Sequence, residues 1–570
     1  MRTFPRLKKV LAAAVITTLG LGGLVSCGKS NLRSGVGYAI DAPVVDYNPW
    51  TVAGATGGSR AAFSRVLLGF SYLDGLGNSI ADTEFGTITV ESTRPVKLQM
   101  KINPKAVFSD GEPITCEDIL FSWVARKPRP QNPFNAMTMV GLSEIADIQC
   151  APQSKNATVT FNSERLPRDW LALFGAGTIL PWHIASRETG IKDIRALTKK
   201  PDRGALKKLA QFWNRGWRLQ DTGINLDAFV SSGPYLLEKV QNTGAITLKR
   251  NENWWGRPAD IPRITIYSTY TDIVNNLKEG KIQVGDLGKD IKNLNVPARF
   301  VQADVSSFNI AQIRLSTTGI FANRALRRAF ISCIPKDEIQ KELFPENKRE
   351  SAAATPEIVG RPAASVLPLG NDPIAQQVME QTRIHPVKDS ATPKNRRRIN
   401  IAYAADSKRA EKTVEIIANS CRSRGFDVIG APSESYTGEL LASGSVQAAF
   451  FGTAGAVGPG GAFDASAGLI GMSAFMLPDF RNGSAQELFV RALRIDLTQG
   501  EKNAIQADGI DRNIVFAHTI AQLQQYLLDQ GYAIPLYVQP RWQFVDPDLQ
   551  GVTQGRSAAS VGWNMDRWTI

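Results

Sequence analysis

Apolar and polar positions along this chain switch between a period of two and a helical period. Ala245-Ile246-Thr247-Leu248-Lys249-Arg250 reads as a strand, followed by a turn over Asn251-Glu252-Asn253-Trp254-Trp255-Gly256. Ile399-Asn400-Ile401-Ala402-Tyr403 predicts a second strand. A helix from Ser407 to Arg424 follows, with Val414, Ile416, Ile417 and Cys421 near helical spacing. Gly425 ends it, and Phe426-Asp427-Val428-Ile429 predicts another strand. This βαβ unit implies an α/β fold with mixed sheets covered by helices. Val446-Gln447-Ala448-Ala449-Phe450 predicts a buried strand. Glu346 to Pro393, rich in Pro, Ala, Ser and charge, predicts a long surface excursion with a short helix near Ile374 to Glu380.

One apolar run belongs to none of these elements. Arg2, Arg6, Lys8 and Lys9 precede an apolar stretch from Val10 to Leu24, too short and too rich in Gly and Thr for a membrane span of about 20 residues. It closes on Leu24-Val25-Ser26-Cys27, which resembles a bacterial lipoprotein signal. The expectation is that residues 1–26 are removed, Cys27 is lipidated and the body is anchored to the membrane outside the cytoplasm, since two acyl chains give stable attachment. Residues 27–37, small and polar, predict a flexible tether.

Removing residues 1–26 leaves 544 of the 570 residues, enough for at least two domains. Apolar content of 43% and charged content of 21% exclude a disordered or fibrous chain. The formal charge of +13 falls to +9 without the four leader cations. An exported chain does not meet nucleic acid, and Lys394-Asn395-Arg396-Arg397-Arg398 carries no interleaved aromatics, so this run reads as a solvated loop edge. With Cys27 lipidated, Cys116, Cys150, Cys333 and Cys421 remain, and an oxidising compartment allows three pairings. Cys116–Cys150 with Cys333–Cys421 is the sequence-local choice. No CxxC and no cysteine–histidine spacing indicates a metal or cofactor site.

Phe108-Ser109-Asp110-Gly111-Glu112-Pro113-Ile114-Thr115-Cys116-Glu117-Asp118-Ile119-Leu120-Phe121-Ser122-Trp123 carries the most specific motif. Its physics is structural: Gly111 supplies a turn, Thr115 and Asp118 a capping box, and Ile119, Leu120 and Trp123 an apolar stripe. The segment closely resembles one in the substrate-binding proteins of bacterial peptide and nickel ABC importers, solute-binding family 5. Other stretches resemble that family in the same order: Asp46-Tyr47-Asn48-Pro49, Ile179 to Ile184, Ser232 to Leu237 with Asn251 to Trp255, Asn323 to Phe330, Gly531 to Tyr537, and Asn564 to Trp568.

The resemblance implies a two-lobed clamp of the periplasmic-binding-protein kind. Lobe I would comprise residues 38–305 with an inserted subdomain about 75–215, lobe II residues 306–533, and 534–570 would return to lobe I. Ligand would close the lobes about a hinge, and the monomeric clamp would deliver a short peptide or other small solute to a permease. In peptide-binding relatives the ligand lies extended between the lobes. The positions implied here are Ala53, Gly54, Ala55 and Thr56 in one lobe, and Phe451, Gly452, Thr453, Ala454 and Gly455 in the other. The aspartate that often meets the peptide amine is missing from Gly452 to Gly461, and Asp464 is the first acid available. His183, His385 and His518 are scattered, which disfavours a metal cargo. A sugar, a metallophore-type ligand or a receptor role are the alternatives. A hydrolase fits least, because no GxSxG elbow or HExxH helix occurs.

Overall fold

The computed structural model describes residues 34–75, 79–127, 132–137, 140–162, 170–219, 224–269, 271–288, 294–344, 396–405, 407–433, 440–441, 443–453, 526, 529–557 and 559–570. Cys27, the tether up to Arg33 and the 346–393 excursion lie outside them. The strands are β1 (Val36–Ile40), β2 (Ser71–Leu73), β3 (Ser79–Ala81), β4 (Gly86–Thr93), β5 (Val96–Ile102), β6 (Ile145–Gln149), β7 (Asn156–Phe161), β8 (Tyr235–Val240), β9 (Ile246–Arg250), β10 (Arg263–Tyr267), β11 (Val284–Leu287), β12 (Val301–Leu315), β13 (Arg397–Ala404), β14 (Phe426–Ser433), β15 (Ala448–Thr453) and β16 (Ala533–Val545). The α-helices are α1 (Val52–Thr56), α2 (Ser59–Ala62), α3 (Cys116–Arg126), α4 (Trp182–Thr189), α5 (Ile194–Lys199), α6 (Arg203–Arg215), α7 (Ile273–Lys278), α8 (Arg324–Ile331), α9 (Lys336–Leu343) and α10 (Lys408–Arg422).

The predicted βαβ unit is present. Ser407 caps α10 through Ala410 N, Gly425 takes φ +83°, and β13 and β14 pair in parallel. Thr413, Val414, Ile417 and Cys421 form the buried stripe of α10. Arg397 and Arg398, read as loop edge, begin β13 instead, because the strand reaches two residues ahead of its apolar core. Both sequence-local disulfides are formed, Cys116–Cys150 and Cys333–Cys421.

One sheet runs through the molecule in the order β14-β13-β15-β12-β16-β11-β1-β10-β9-β8. At the β14 end, Ile313, Phe330, Ile401, Ile417 and Leu536 share one apolar core; at the other end, Tyr38, Phe63, Ile264 and Trp568 belong to a second. These are the two lobes. The antiparallel strands β12 and β16 enter both. Residues 301–306 pair with 540–545 beside β11, and residues 310–314 pair with 533–538 beside β15. Between these stretches the register slips, so 307–309 face Gln539 alone. A bulge of this kind interrupts the ladder and bends it. A separate sheet, β4-β5-β7-β6, carries the segment between β3 and α4.

Helix α3 shows why the 108–123 motif is structural. Gly111 takes φ +92° in the turn. The Asp118 carboxylate accepts Thr115 N–H at 2.7 Å through one oxygen and Trp182 N–H at 2.7 Å through the other, so it caps α3 and ties it to the start of α4. Burial pushes the Asp118 carboxyl up to about 6, partly opposed by those two N–H donors. A folded-state value above the ordinary 3.8 means that the stabilising contribution is complete below about pH 3.8 and lost as pH rises through 6. Between pH 4 and 7 this group should lower stability by roughly 3 kcal/mol. Asp118→Asn should lack that slope, so the stability of wild type relative to the variant should fall by about that amount across the range, read by denaturant unfolding.

Candidate functional site

Strand direction locates the candidate site. β1 and β11 are parallel, β11 is antiparallel to β16, and β16 is antiparallel to β12, so β1, β11 and β12 all run from lobe I toward lobe II. β15 is antiparallel to β12 and parallel to β13, so β13, β14 and β15 run back toward lobe I. The carboxyl ends of β1 and β11 therefore face those of β13, β14 and β15 across the bulge. Carboxyl ends of parallel strands leave loops and unpaired backbone groups free to meet a ligand.

On the lobe I side, the loop after β1 is built by short-range polar contacts. Asp46 accepts Asn48 N–H at 3.0 Å and the Thr51 hydroxyl at 2.8 Å, and Asn48 Oδ1 accepts Trp50 N–H at 2.9 Å. Thr51 Oγ1 then accepts Gly54 N–H at 3.0 Å, which starts a helix. Ala53, Gly54, Ala55 and Thr56, the positions the resemblance implies for this wall, form α1 rather than a strand that a ligand backbone could pair with. Their small size serves the interior, since Ala53 and Ala55 are buried and a Cβ on Gly54 would stand 2.0 Å from the Asn48 carbonyl oxygen.

On the lobe II side, the strand predicted over 446–450 lies later in the chain, at Ala448–Thr453. Phe451, Gly452 and Thr453 belong to β15 and pair with Gln312, Ala311 and Ile310 of β12. On the other side of β15, β13 pairs with Ala448 and Ala449. Ala454, Gly455 and Asp464 lie outside the described residues.

The sequence reading missed a charged floor between these ends. Arg541 of β16 reaches Asp286 Oδ1 at 2.8 Å and stands 3.8 Å from Asp41, the residue after β1. Asp41 also accepts Gly288 N–H at 2.8 Å, closing the gap between the β1 and β11 ends. Asp286 accepts a hydrogen bond from the Ser560 hydroxyl, which itself accepts the Tyr38 hydroxyl at 2.9 Å. Burial pulls the Arg541 guanidinium down, but Asp286 and Asp41 more than reverse it, so its charge is firmly held. No local motif marks this cluster, because its members come from chain positions hundreds of residues apart.

Also missed was a pocket in lobe I, walled by Pro49, Trp50, Phe63, Tyr72, Gly177 and Trp563. Trp50 follows directly on the Asp46–Pro49 motif, the one sequence signal that pointed there. Among the described residues no group of three or more His, Cys, Asp and Glu stands ready to hold a metal ion, and no helix is long and apolar enough to cross a membrane.

The pattern of "Bacterial extracellular solute-binding proteins, family 5 Middle" matches residues 90–465. The chain belongs to solute-binding family 5. An uncharacterized lipoprotein of Mycobacterium tuberculosis is 29% identical over 99% of both chains. The family 5 fold is shared with an oligopeptide-binding protein from Thermus thermophilus complexed with a pentapeptide: TM-score 0.66, 16% identity, 94% of this chain and 96% of that one. A periplasmic EDTA-binding protein gives TM-score 0.65 at 16% identity over 96% of this chain and 99% of the other. As a family 5 member the chain is a solute-binding protein of the ABC importer type, not an enzyme.

Proposed function

We propose that this family 5 protein is the lipid-anchored, extracytoplasmic receptor of an ABC importer, holding short peptides between its lobes and handing them to a permease. The observation that carries the reading is the edge of β15: its pairing with β13 ends at Ala449, yet the strand continues to Thr453 at the interlobe face. An extended peptide can add there as a further strand, its affinity coming from main-chain hydrogen bonds and its tolerance from side chains that point away. Phe451 to Gly455 would form that edge, Asp464 would meet the peptide amine, and α1 with the loop before it would form the facing wall. Anchoring through Cys27 and removal of residues 1–26 accord with the lipoprotein name of the mycobacterial relative.

The hinge of this proposal is the slip at 307–309 opposite Gln539. Ile534, Leu536 and Tyr537 pack in the lobe II core, so we assign the return crossing to residue 539, later than the 533/534 boundary expected from the sequence. Closure is driven by contacts made only in the liganded state.

Native mass spectrometry of the purified mature protein tests the cargo, and the expected result is a mixture of short peptides. Small-angle scattering should show a smaller radius of gyration with ligand than after its removal by partial unfolding and refolding. A homogeneous non-peptide mass would replace peptide by a non-peptide solute, the second reading, which the lack of an acid from Gly452 to Gly461 favours. Identical scattering in both states would overturn the clamp.

A further inference from the structure

The lobe I pocket has a chemical signature more specific than apolar shape. Trp50 is 5% exposed, and its Nε1–H has no hydrogen-bond partner among the described residues. That nitrogen lies against the pocket wall: a Cβ built on Gly177 would meet it at 3.4 Å and Pro49 Cγ at 2.5 Å, and Gly177 and Pro49 both line the cavity. The indole cannot swing away to find water. Arg126 stacks on its ring at 4.0 Å and Arg60 at 4.4 Å, and Arg126 is fully buried. A buried donor held in this way is costly unless something accepts from it.

The remaining walls select the shape of that acceptor. Tyr72 and Trp563 stand nearly parallel, 15° apart with ring centroids at 6.1 Å, and Phe63 lines the same cavity. The cavity volume is about 70 Å³, the room of roughly five waters at ~10–15 Å³ each, and its open mouth leaves further space for a ring to enter between the aromatic walls. A second pocket on the other side of the Tyr72–Trp563 pair has a different character. Its ions are already matched to one another, Arg65 with Asp566 at 2.9 Å and Arg567 with Glu84 at 2.9 Å, so it asks for no ligand charge.

The aromatic pocket is lined in part by chain neighbours of residues bonded to the candidate site. Ser59 and Arg60, which line it, follow Gly58, whose N–H donates to Pro43 O at 2.8 Å in the loop leaving the carboxyl end of β1. Ala559, also lining, precedes Ser560, which is bonded to Asp286 of β11.

We infer that this pocket takes one ring-sized apolar group of the ligand bearing a hydrogen-bond acceptor oxygen, such as a phenol, with the oxygen on Trp50 Nε1–H. This deepens the proposed function and rests on it for the nature of the ligand to which the group is attached. A tyrosyl side chain is the peptide form of that chemistry.

Saturation-transfer NMR with p-cresol and toluene, on the mature protein, tests the pocket independently of peptide. p-Cresol should bind roughly three- to tenfold tighter than toluene, the worth of one net hydrogen bond. Trp50→Phe should bring the ratio to about one, Trp213→Phe, elsewhere in the core, should leave it unchanged, and Ala176→Leu should expel both probes. A ratio that survives Trp50→Phe, probes retained by Ala176→Leu, or no binding to the wild type overturns the inference. The peptides Ala-Tyr-Ala, Ala-Phe-Ala and Ala-Ala-Ala separate the two claims. If p-cresol behaves as stated while no peptide binds, the peptide reading alone fails. If the peptides bind without preference for tyrosine, the pocket inference alone fails.

Discussion

Arg65→Met should destabilise the protein by about 5 kcal/mol, measured by denaturant unfolding near neutral pH. Arg65 is 3% exposed and bridges two buried carboxylates, Asp566 at 2.9 Å and Asp82 at 3.3 Å. Burial pulls its guanidinium down, but Asp566 and then Asp82 more than compensate, so the arginine stays charged. Methionine fills most of the volume, leaves Asp82 without a counterion and leaves Asp566 only Arg567, at 3.1 Å. Breaking one buried pair costs about 3–5 kcal/mol, because the surviving charge stays desolvated. Here one substitution breaks two. Adding Asp82→Asn and Asp566→Asn to the variant should recover most of the loss, since neutral amides need no cation. If Arg65→Met alone loses less than about 1 kcal/mol, the cluster is solvated and this account is wrong. The ion set joins the segment after α2, the segment after β3 and the terminal turn before Trp568, so it closes lobe I across nearly the whole chain length.

What could be read from the sequence was what local rules decide. Helix α10 has a regular apolar stripe, a serine cap and a stop glycine between Ser407 and Gly425, and each was found where expected. The capping box at Thr115 and Asp118 was legible for the same reason. Helix α1 was not, because Ala53-Gly54-Ala55-Thr56 has no apolar period. Its helix depends on Asp46 orienting the Thr51 hydroxyl, and that is visible only once the loop has folded. The first three residues of the lobe II candidate segment continue a strand because β12 supplies partners 139 to 143 positions earlier, a register no pattern announces. The aromatic pocket was equally hidden: Trp50, Tyr72, Gly177 and Trp563 are each unremarkable in sequence and converge only through the sheet. Long-range polar convergence was what the sequence reading lacked.

The proposed hinge gives the second large expectation. Arg541→Met should cost about 4 kcal/mol in unfolding free energy, because Asp286, 3% exposed, would keep the Ser560 hydroxyl but lose its charged partner. Arg541→Met combined with Asp286→Asn should recover most of it. The position of Arg541 makes the effect mechanical as well. It sits two residues beyond Gln539, where the β12–β16 register slips, and its guanidinium reaches Asp286 on β11 and stands near Asp41 after β1. The lobe I half of β16 is thereby clamped to that lobe's sheet, and Arg299 clamps it again through Asp546 at 2.6 Å. On the proposed closure, bending strain would then be confined to the few residues between the two halves. With Arg541 removed, the bend should spread into the lobe I half of β16, and amide exchange there should accelerate relative to β1 and β10. Uniform acceleration across lobe I would mean that the ion pair only stabilises the lobe. Exchange confined to 540–545 would show that it also sets where the clamp bends.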